Sequence, residues 1–161
     1  MAVVDEAILN TTGIRLKDAF VVIVKTEWNA HIIDKLEAGC RKVLKSGGVK
    51  FKTLVVPGAF EVPFAIAAYN RSNQKLKADA FIALATVIRG DTPHFDYVCN
   101  GITNGIMQLN LQLEVPVIFG VLTVNDEQQA LDRTGGIHGH KGEEAATTAI
   151  KMIALNKKLS K

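Results

Sequence analysis

The chain has 161 residues, 48% of them hydrophobic and 22% charged, with a formal net charge of +3. That length suits one domain able to bury about 70% of its extended surface, and that composition excludes a disordered chain. Lysines and arginines are scattered, with one small group at Lys157, Lys158 and Lys161 and no aromatic interleaving, so no nucleic-acid partner is expected. Residues 1–15 fit neither helical nor strand period. Their apolar members Val3, Val4, Ile8 and Ile14 predict an arm that packs on something, a neighbouring subunit being the candidate.

A first strand is predicted at 19–24 (AFVVIV), followed by a helix marked by Ile33, Leu36, Cys40, Val43 and Leu44 and stopped by Ser46-Gly47-Gly48. A second strand at 51–56 (FKTLVV) precedes a helix through Val62, Ala65, Ile66 and Tyr69, with Pro63 tolerable only in its first turn. A third strand at 80–88 (AFIALATVI) leads to a helix through Val98, Ile102, Ile106, Leu109 and Leu113 that ends before Pro116. The fourth strand, 117–122 (VIFGVL), is followed by a last helix over 143–159, through Ala146, Ala149, Ile150 and Ile153. Three of the four strand runs are nearly continuous, the mark of strands covered on both faces. Strand then helix, four times, predicts an α/β fold: three layers, α/β/α, around a four-stranded parallel, flavodoxin-like sheet, as a single domain over 1–161.

No apolar run reaches membrane-spanning length, and the opening residues are acidic where a secretory signal needs positive charge. A cytoplasmic protein with no membrane partner is the expectation. Cys40 and Cys99 both fall in apolar helical patterns and read as buried thiols.

Ligands of such sheets collect beyond the carboxyl ends of the strands. After the first strand stands Trp28, the only tryptophan, which can stack on a planar ligand or pack into the core. After the second comes Pro57-Gly58-Ala59-Phe60-Glu61. Gly58 permits close backbone approach, and Glu61 either accepts from hydroxyls or serves as a first-turn acid favoured by the helix dipole. The third strand ends in RGDTPHFD at 89–96, where Gly90, Thr92 and the helix start offer donors suited to phosphate. Arg89 can add charge there or pair with Asp91 or Asp96. His94 carries an imidazole able to give and take a proton and is the candidate proton-transfer group, a structural or solvated histidine being the plainer alternative. Beyond the fourth strand, Arg133 and Lys141 stand eight apart in a glycine-rich stretch and can clamp a phosphate. Lys141 is followed by glycine, so this is not a P-loop, and His138 and His140 lack the further ligands a metal needs. No metal is expected. No GxGxxG follows the first strand, which disfavours a dinucleotide site.

Together these segments resemble the 6,7-dimethyl-8-ribityllumazine synthase family. The likeness lies in Trp28-Asn29, VPGAFE at 56–61, VIRGDTPHFDYVC at 87–99, PVIFGVLT at 116–123 and QQALDRTGGIHGHKGEEAATTAIK at 128–151. Order and spacing hold over residues 13–152. The resemblance implies a transferase of riboflavin biosynthesis. It would condense 5-amino-6-(D-ribitylamino)uracil with 3,4-dihydroxy-2-butanone 4-phosphate, releasing phosphate and water, without a cofactor.

By the same resemblance, Trp28 stacks on the pyrimidine, a place many relatives fill with Phe. Ala59, Phe60 and Glu61 line the ribityl chain, and Thr86, Val87 and Ile88 meet the pyrimidine edge through backbone. Phosphate falls to Asp91, Thr92 and Arg133, and proton transfer to His94. Phe119, Arg133 and Lys141 match residues that close the site from an adjacent subunit. Asp91 departs from the small or neutral residue common there, so its side chain must point away from the phosphate or be offset by Arg89 or Arg133. Many relatives also have Asn where His140 stands. The family assembles as pentamers, some packing twelve into an icosahedral shell. The compact segment 133–141, without insertion, implies the 60-subunit form, its N-terminal arm adding a strand to a neighbour's sheet.

Three rivals are weaker. A flavin carrier of the flavodoxin kind needs a Ser/Thr-rich phosphate loop where TEWNAH stands at 26–31. A shell protein without catalysis would not need the intact set Trp28, Glu61, His94, Phe119, Arg133 and Lys141. The archaeal type of riboflavin synthase shares the fold but not the HFDYVC segment with its downstream Arg–Lys spacing.

Overall fold

The continuous apolar runs become the middle of one sheet. In the computed structural model, which describes residues 6–72 and 75–160, the strands are β1 (Phe20–Thr26), β2 (Lys50–Val56), β3 (Ala80–Ile88) and β4 (Val117–Val124). All pair in parallel, in the order β2-β1-β3-β4. Val21–Val24 of β1 and 81–85 of β3 are wholly buried, as strands covered on both faces must be. At the sheet edge β2 is half-exposed, which is why its FKTLVV is the one interrupted run.

The helices fall on opposite faces because the connections run in opposite directions along the sheet. From β1 to β2 the chain passes through α1 (Ala30–Ser46); from β2 through β3 to β4 it passes through α2 (Val62–Arg71) and α3 (His94–Gln112). A core of Val21, Ile23, Ile82, Leu84 and Leu122 meets Ile33, Leu36 and Leu44 of α1 and Ala146, Ala149 and Ile150 of α5 (Lys141–Leu159). The alternate residues Phe20, Val22, Phe81, Ala83 and Val121 meet Val62 and Ile66 of α2 and Ile102 and Ile106 of α3. Each fully buried Ile or Leu contributes about 2 kcal/mol of transfer free energy. Both layers are therefore needed to hold the sheet.

Three features differ from the sequence expectation. α3 (His94–Gln112) ends one residue before Leu113, which is its extended C-cap rather than a helical residue. α5 begins at Lys141 rather than 143, because Gly142 lies against α1: a Cβ there would stand 2.0 Å from the Leu36 carbonyl oxygen. The polar stretch after β4 is ordered into a short helix, α4 (Glu127–Leu131), and a hairpin of β5 (Thr134–Gly136) and β6 (Gly139–His140). Asp126 caps α4 by accepting from the Gln129 N–H at 2.9 Å.

Of the arm, Val3, Val4 and the Ile8 side chain lie outside what is described, as does Lys161 at the other end. The described part forms a 3-10 turn at Glu6–Leu9, and Ile14 and Leu16 pack against the α1/α5 core of their own chain. Among the described residues no helix is long and apolar enough to cross a membrane.

Candidate functional site

β1 and β3 lie side by side, yet the chain leaves them in opposite directions, so a crevice opens beyond their carboxyl ends. A cavity of 590 Å³ occupies it. Its walls are Trp28 and Asn29 after β1, 58–61 after β2, Thr86, Val87 and Ile88 at the end of β3, and His94, Tyr97 and Val98 on α3.

Backbone hydrogen bonds fix the loop that carries the tryptophan. Glu27 and Trp28 donate their N–H groups to the carbonyls of Val56 and Pro57, at 2.9 and 3.3 Å. Asn29 takes up the left-handed conformation (φ 59°, ψ 40°), which asparagine tolerates better than most residues. Its side chain does not cap α1; Nδ2 donates to the Thr86 carbonyl at 3.0 Å and so ties the β1 loop to β3. The Trp28 side chain is left 74% exposed at the cavity mouth, which sets aside the core-packing alternative.

After β2 the chain makes a 3-10 turn at Ala59–Glu61. A Cβ on Gly58 would stand 3.0 Å from Glu61 Oε2 and 3.8 Å from Trp28 Cδ1, so the glycine keeps this wall open. Ala59 is buried beneath the turn while Phe60 and Glu61 are exposed. Among the described residues the Glu61 carboxylate has no hydrogen bond or ion pair, leaving both oxygens open to donors. His94, the first residue of α3, likewise lines the cavity without a bonded partner among the described residues.

Asp91 and Thr92 lie exposed in the turn before α3, outside the cavity lining. Arg89 turns away from Asp91. Its guanidinium stacks on the Phe95 ring at 4.1 Å, donates to Asn125 Oδ1 at 3.2 Å and pairs with Asp96 at 3.4 Å. Of the two pairings open to it in the sequence, Asp96 is the one formed.

The remaining predicted residues gather elsewhere. Phe119 and Lys141 line a second cavity of 390 Å³ beside the edge strand β4, sharing no lining residue with the first. The two cations meet one carboxylate that the sequence reading missed. Arg133 donates to Glu144 Oε2 at 3.0 Å and to the His138 carbonyl, and Lys141 Nζ lies 3.7 Å from the same Oε2. Glu144 Oε1 is buried without a partner among the described residues. The one available signal was its place three residues beyond Lys141. Asn29, Tyr97 and Val98 are the cavity residues not singled out from sequence.

His140 is not available for ligand chemistry. Its ring packs on Gly39, where a Cβ would stand 2.2 Å away, and burial holds its pKa below the usual value. Burial pushes the Cys40 thiol up to about 12 and raises that of Cys99, with Asp96 adding to the second, so neither is poised as a thiolate. Among the described residues no group of three or more His, Cys, Asp or Glu side chains is placed to hold a metal ion.

A family model described as 6,7-dimethyl-8-ribityllumazine synthase matches residues 18–157. A protein of that name from Phocaeicola vulgatus is 50% identical over 142 residues, covering 86% of this chain and 83% of its own length. One from Parabacteroides distasonis is 50% identical over 134 residues, covering 81% and 82%. One from Porphyromonas gingivalis is 46% identical over 144 residues, covering 88% of each chain.

Proposed function

This chain belongs to the 6,7-dimethyl-8-ribityllumazine synthase family, and from that premise we propose how its two clusters divide one reaction. The enzyme, a transferase of riboflavin biosynthesis, condenses 5-amino-6-(D-ribitylamino)uracil with 3,4-dihydroxy-2-butanone 4-phosphate to 6,7-dimethyl-8-ribityllumazine. Phosphate and water are released.

The cavity takes the pyrimidine. Trp28 stacks on the ring, the backbone of Thr86, Val87 and Ile88 reads its edge, and Ala59, Phe60 and Glu61 hold the ribityl chain, Glu61 accepting from its hydroxyls. The phosphate of the second substrate lies at Asp91 and Thr92, where backbone N–H groups and the positive end of the α3 dipole favour an anion. Arg133, Phe119 and Lys141 close the site from a neighbouring subunit. Arg133 keeps donors for this: Glu144 and His138 occupy only part of its five N–H groups.

One observation carries the reading. Trp28, Glu61, the end of β3 and His94 come from four separate segments, yet all line one cavity at the point where the sheet's strand order reverses. That Phe119 and Lys141 line a different cavity of the same chain suits groups that serve a neighbour.

The chemistry asks little of a strong base. The pyrimidine amine attacks the ketone carbonyl, and loss of water gives an imine. Elimination expels phosphate, and ring closure with loss of a second water yields the lumazine. Holding two substrates together supplies most of the acceleration, and His94 moves protons between steps. No cofactor, metal or nucleic acid enters. The assembly is a pentamer, twelve of them in an icosahedral shell of 60, with the N-terminal arm adding a strand to a neighbour's sheet, for which the edge strand β2 is suited. The location is cytoplasmic.

The test is to mix both substrates with the purified protein and follow lumazine absorbance together with phosphate release. Equal amounts of lumazine and phosphate are expected; phosphate without lumazine, or neither, would overturn the reading. Light scattering reports the assembly, and a particle of only five or ten subunits would remove the shell.

A further inference from the structure

Glycine inside a helix weakens it, yet α3 carries Gly101 and Gly105 one turn apart, and each is pressed by a ring from the α2 side. A Cβ on Gly101 would stand 2.5 Å from Phe60 Cε2 and 2.9 Å from Cδ2. A Cβ on Gly105 would stand 2.6 Å from Pro63 Cγ. The two contacts resolve differently. The Pro63 ring is part of the backbone in the first turn of α2, so adding a methyl at Gly105 must move that helix. Phe60 is 64% exposed and turns about two side-chain bonds, so a methyl at Gly101 is relieved by the ring swinging off α3.

We propose that Gly101 is a positioning residue for the ribityl end of the cavity, acting through the seat it gives the Phe60 ring. This rests on the reading of 59–61 as the turn that holds the ribityl chain. The seat orders in advance an exposed aromatic side chain that would otherwise have to be ordered on binding. Gly101 itself is absent from the cavity lining.

The experiment compares Gly101→Ala, Phe60→Leu and the double variant. It measures the KM for each substrate and kcat, and follows 5-amino-6-(D-ribitylamino)uracil binding through quenching of Trp28, the only tryptophan. Gly101→Ala is expected to raise the KM and the dissociation constant for the pyrimidine substrate about five- to tenfold, the cost of ordering one side chain. kcat and the KM for the phosphate substrate should stay within about twofold. In the Phe60→Leu background, which lacks the Cε2 of the 2.5 Å approach and has a freely turning branched end, Gly101→Ala should add little further. If the same increment appears in both backgrounds, the glycine acts through the fold at large and the proposal is overturned. If Phe60→Leu weakens binding but Gly101→Ala does not, the seat is wrong while the ribityl reading stands. If Phe60→Leu changes neither KM nor quenching, the ribityl reading falls and takes the seat with it. Should Gly101→Ala be insoluble, a soluble double variant supports the contact with Phe60, and an insoluble one overturns it.

Discussion

The cavity beyond β1 and β3 and the cluster around Glu144 hold the same kinds of residue in opposite states. In the cavity the side chains of Trp28, Glu61 and His94 face solvent with no bonded partner among the described residues. Around Glu144, Arg133 and Lys141 are half-buried and already share one carboxylate. The first leaves its polar atoms open to whatever enters the cavity. The second keeps two cations close together without letting them repel, at the cost of desolvating an ion pair. On the proposed function the two are the halves of one site, each completed by a neighbouring subunit.

The strongest way to break the comparison is Arg133→Ala. The KM for the phosphate substrate should rise about 100-fold, as when one partner of a desolvated charge contact is removed, while pyrimidine binding by Trp28 quenching is unchanged. Equal loss for both substrates would mean that the cluster is not the phosphate half. Next comes Glu144→Gln, which leaves two half-buried cations short of their counter-charge. Denaturant unfolding should show a loss of about 1–2 kcal/mol, less than for a fully buried pair because these side chains keep some solvent. His94→Ala should lower kcat about tenfold with pyrimidine binding intact, since the amine attacks without help and only proton transfers slow. An unchanged kcat would leave His94 as a solvated cavity residue.

The smallest effect is one of pH. His140 is held below its usual value of 6.5 by burial, so the unfolded chain takes up a proton before the folded one does. Its contribution is fully present above pH 6.5 and is lost as pH falls below it. His140→Asn should flatten that part of the stability profile. A slope identical to that of the unsubstituted protein would assign the acid sensitivity to other groups.

The four strands were legible because β1 and β3 are buried on both faces and read as unbroken apolar runs. The beginning of α5 was not legible, since periodicity marks only the buried face and Lys141 does not lie on it. α4, little more than one helical turn, and the β5–β6 hairpin are too short to display a period and are rich in polar residues, so Asp126 as a cap was the local clue. At the site, the rule that ligands gather beyond strand ends points from sequence alone to the rim where the cavity lies. Local sequence left Trp28 undecided between stacking and core, and Arg89 between two carboxylates; chain packing keeps Trp28 out of the core and pairs Arg89 with Asp96. Glu144 escaped because its pairing with Arg133 joins the end of α4 to the first turn of α5 across a hairpin that carries no apolar signature.

The claim that one site is shared between two subunits is tested most directly by mixing them. Arg133→Ala is co-expressed with Trp28→Ala/His94→Ala, and lumazine formation by the mixed assemblies is measured at phosphate-substrate concentrations well below the KM of the arginine variant, where each alone is expected to be nearly inactive. With equal amounts, about a quarter of the sites should pair an intact cavity with an intact arginine half from the neighbour, and activity should return in that proportion. Mixed assemblies no more active than the sum of the two variants would contradict a shared site.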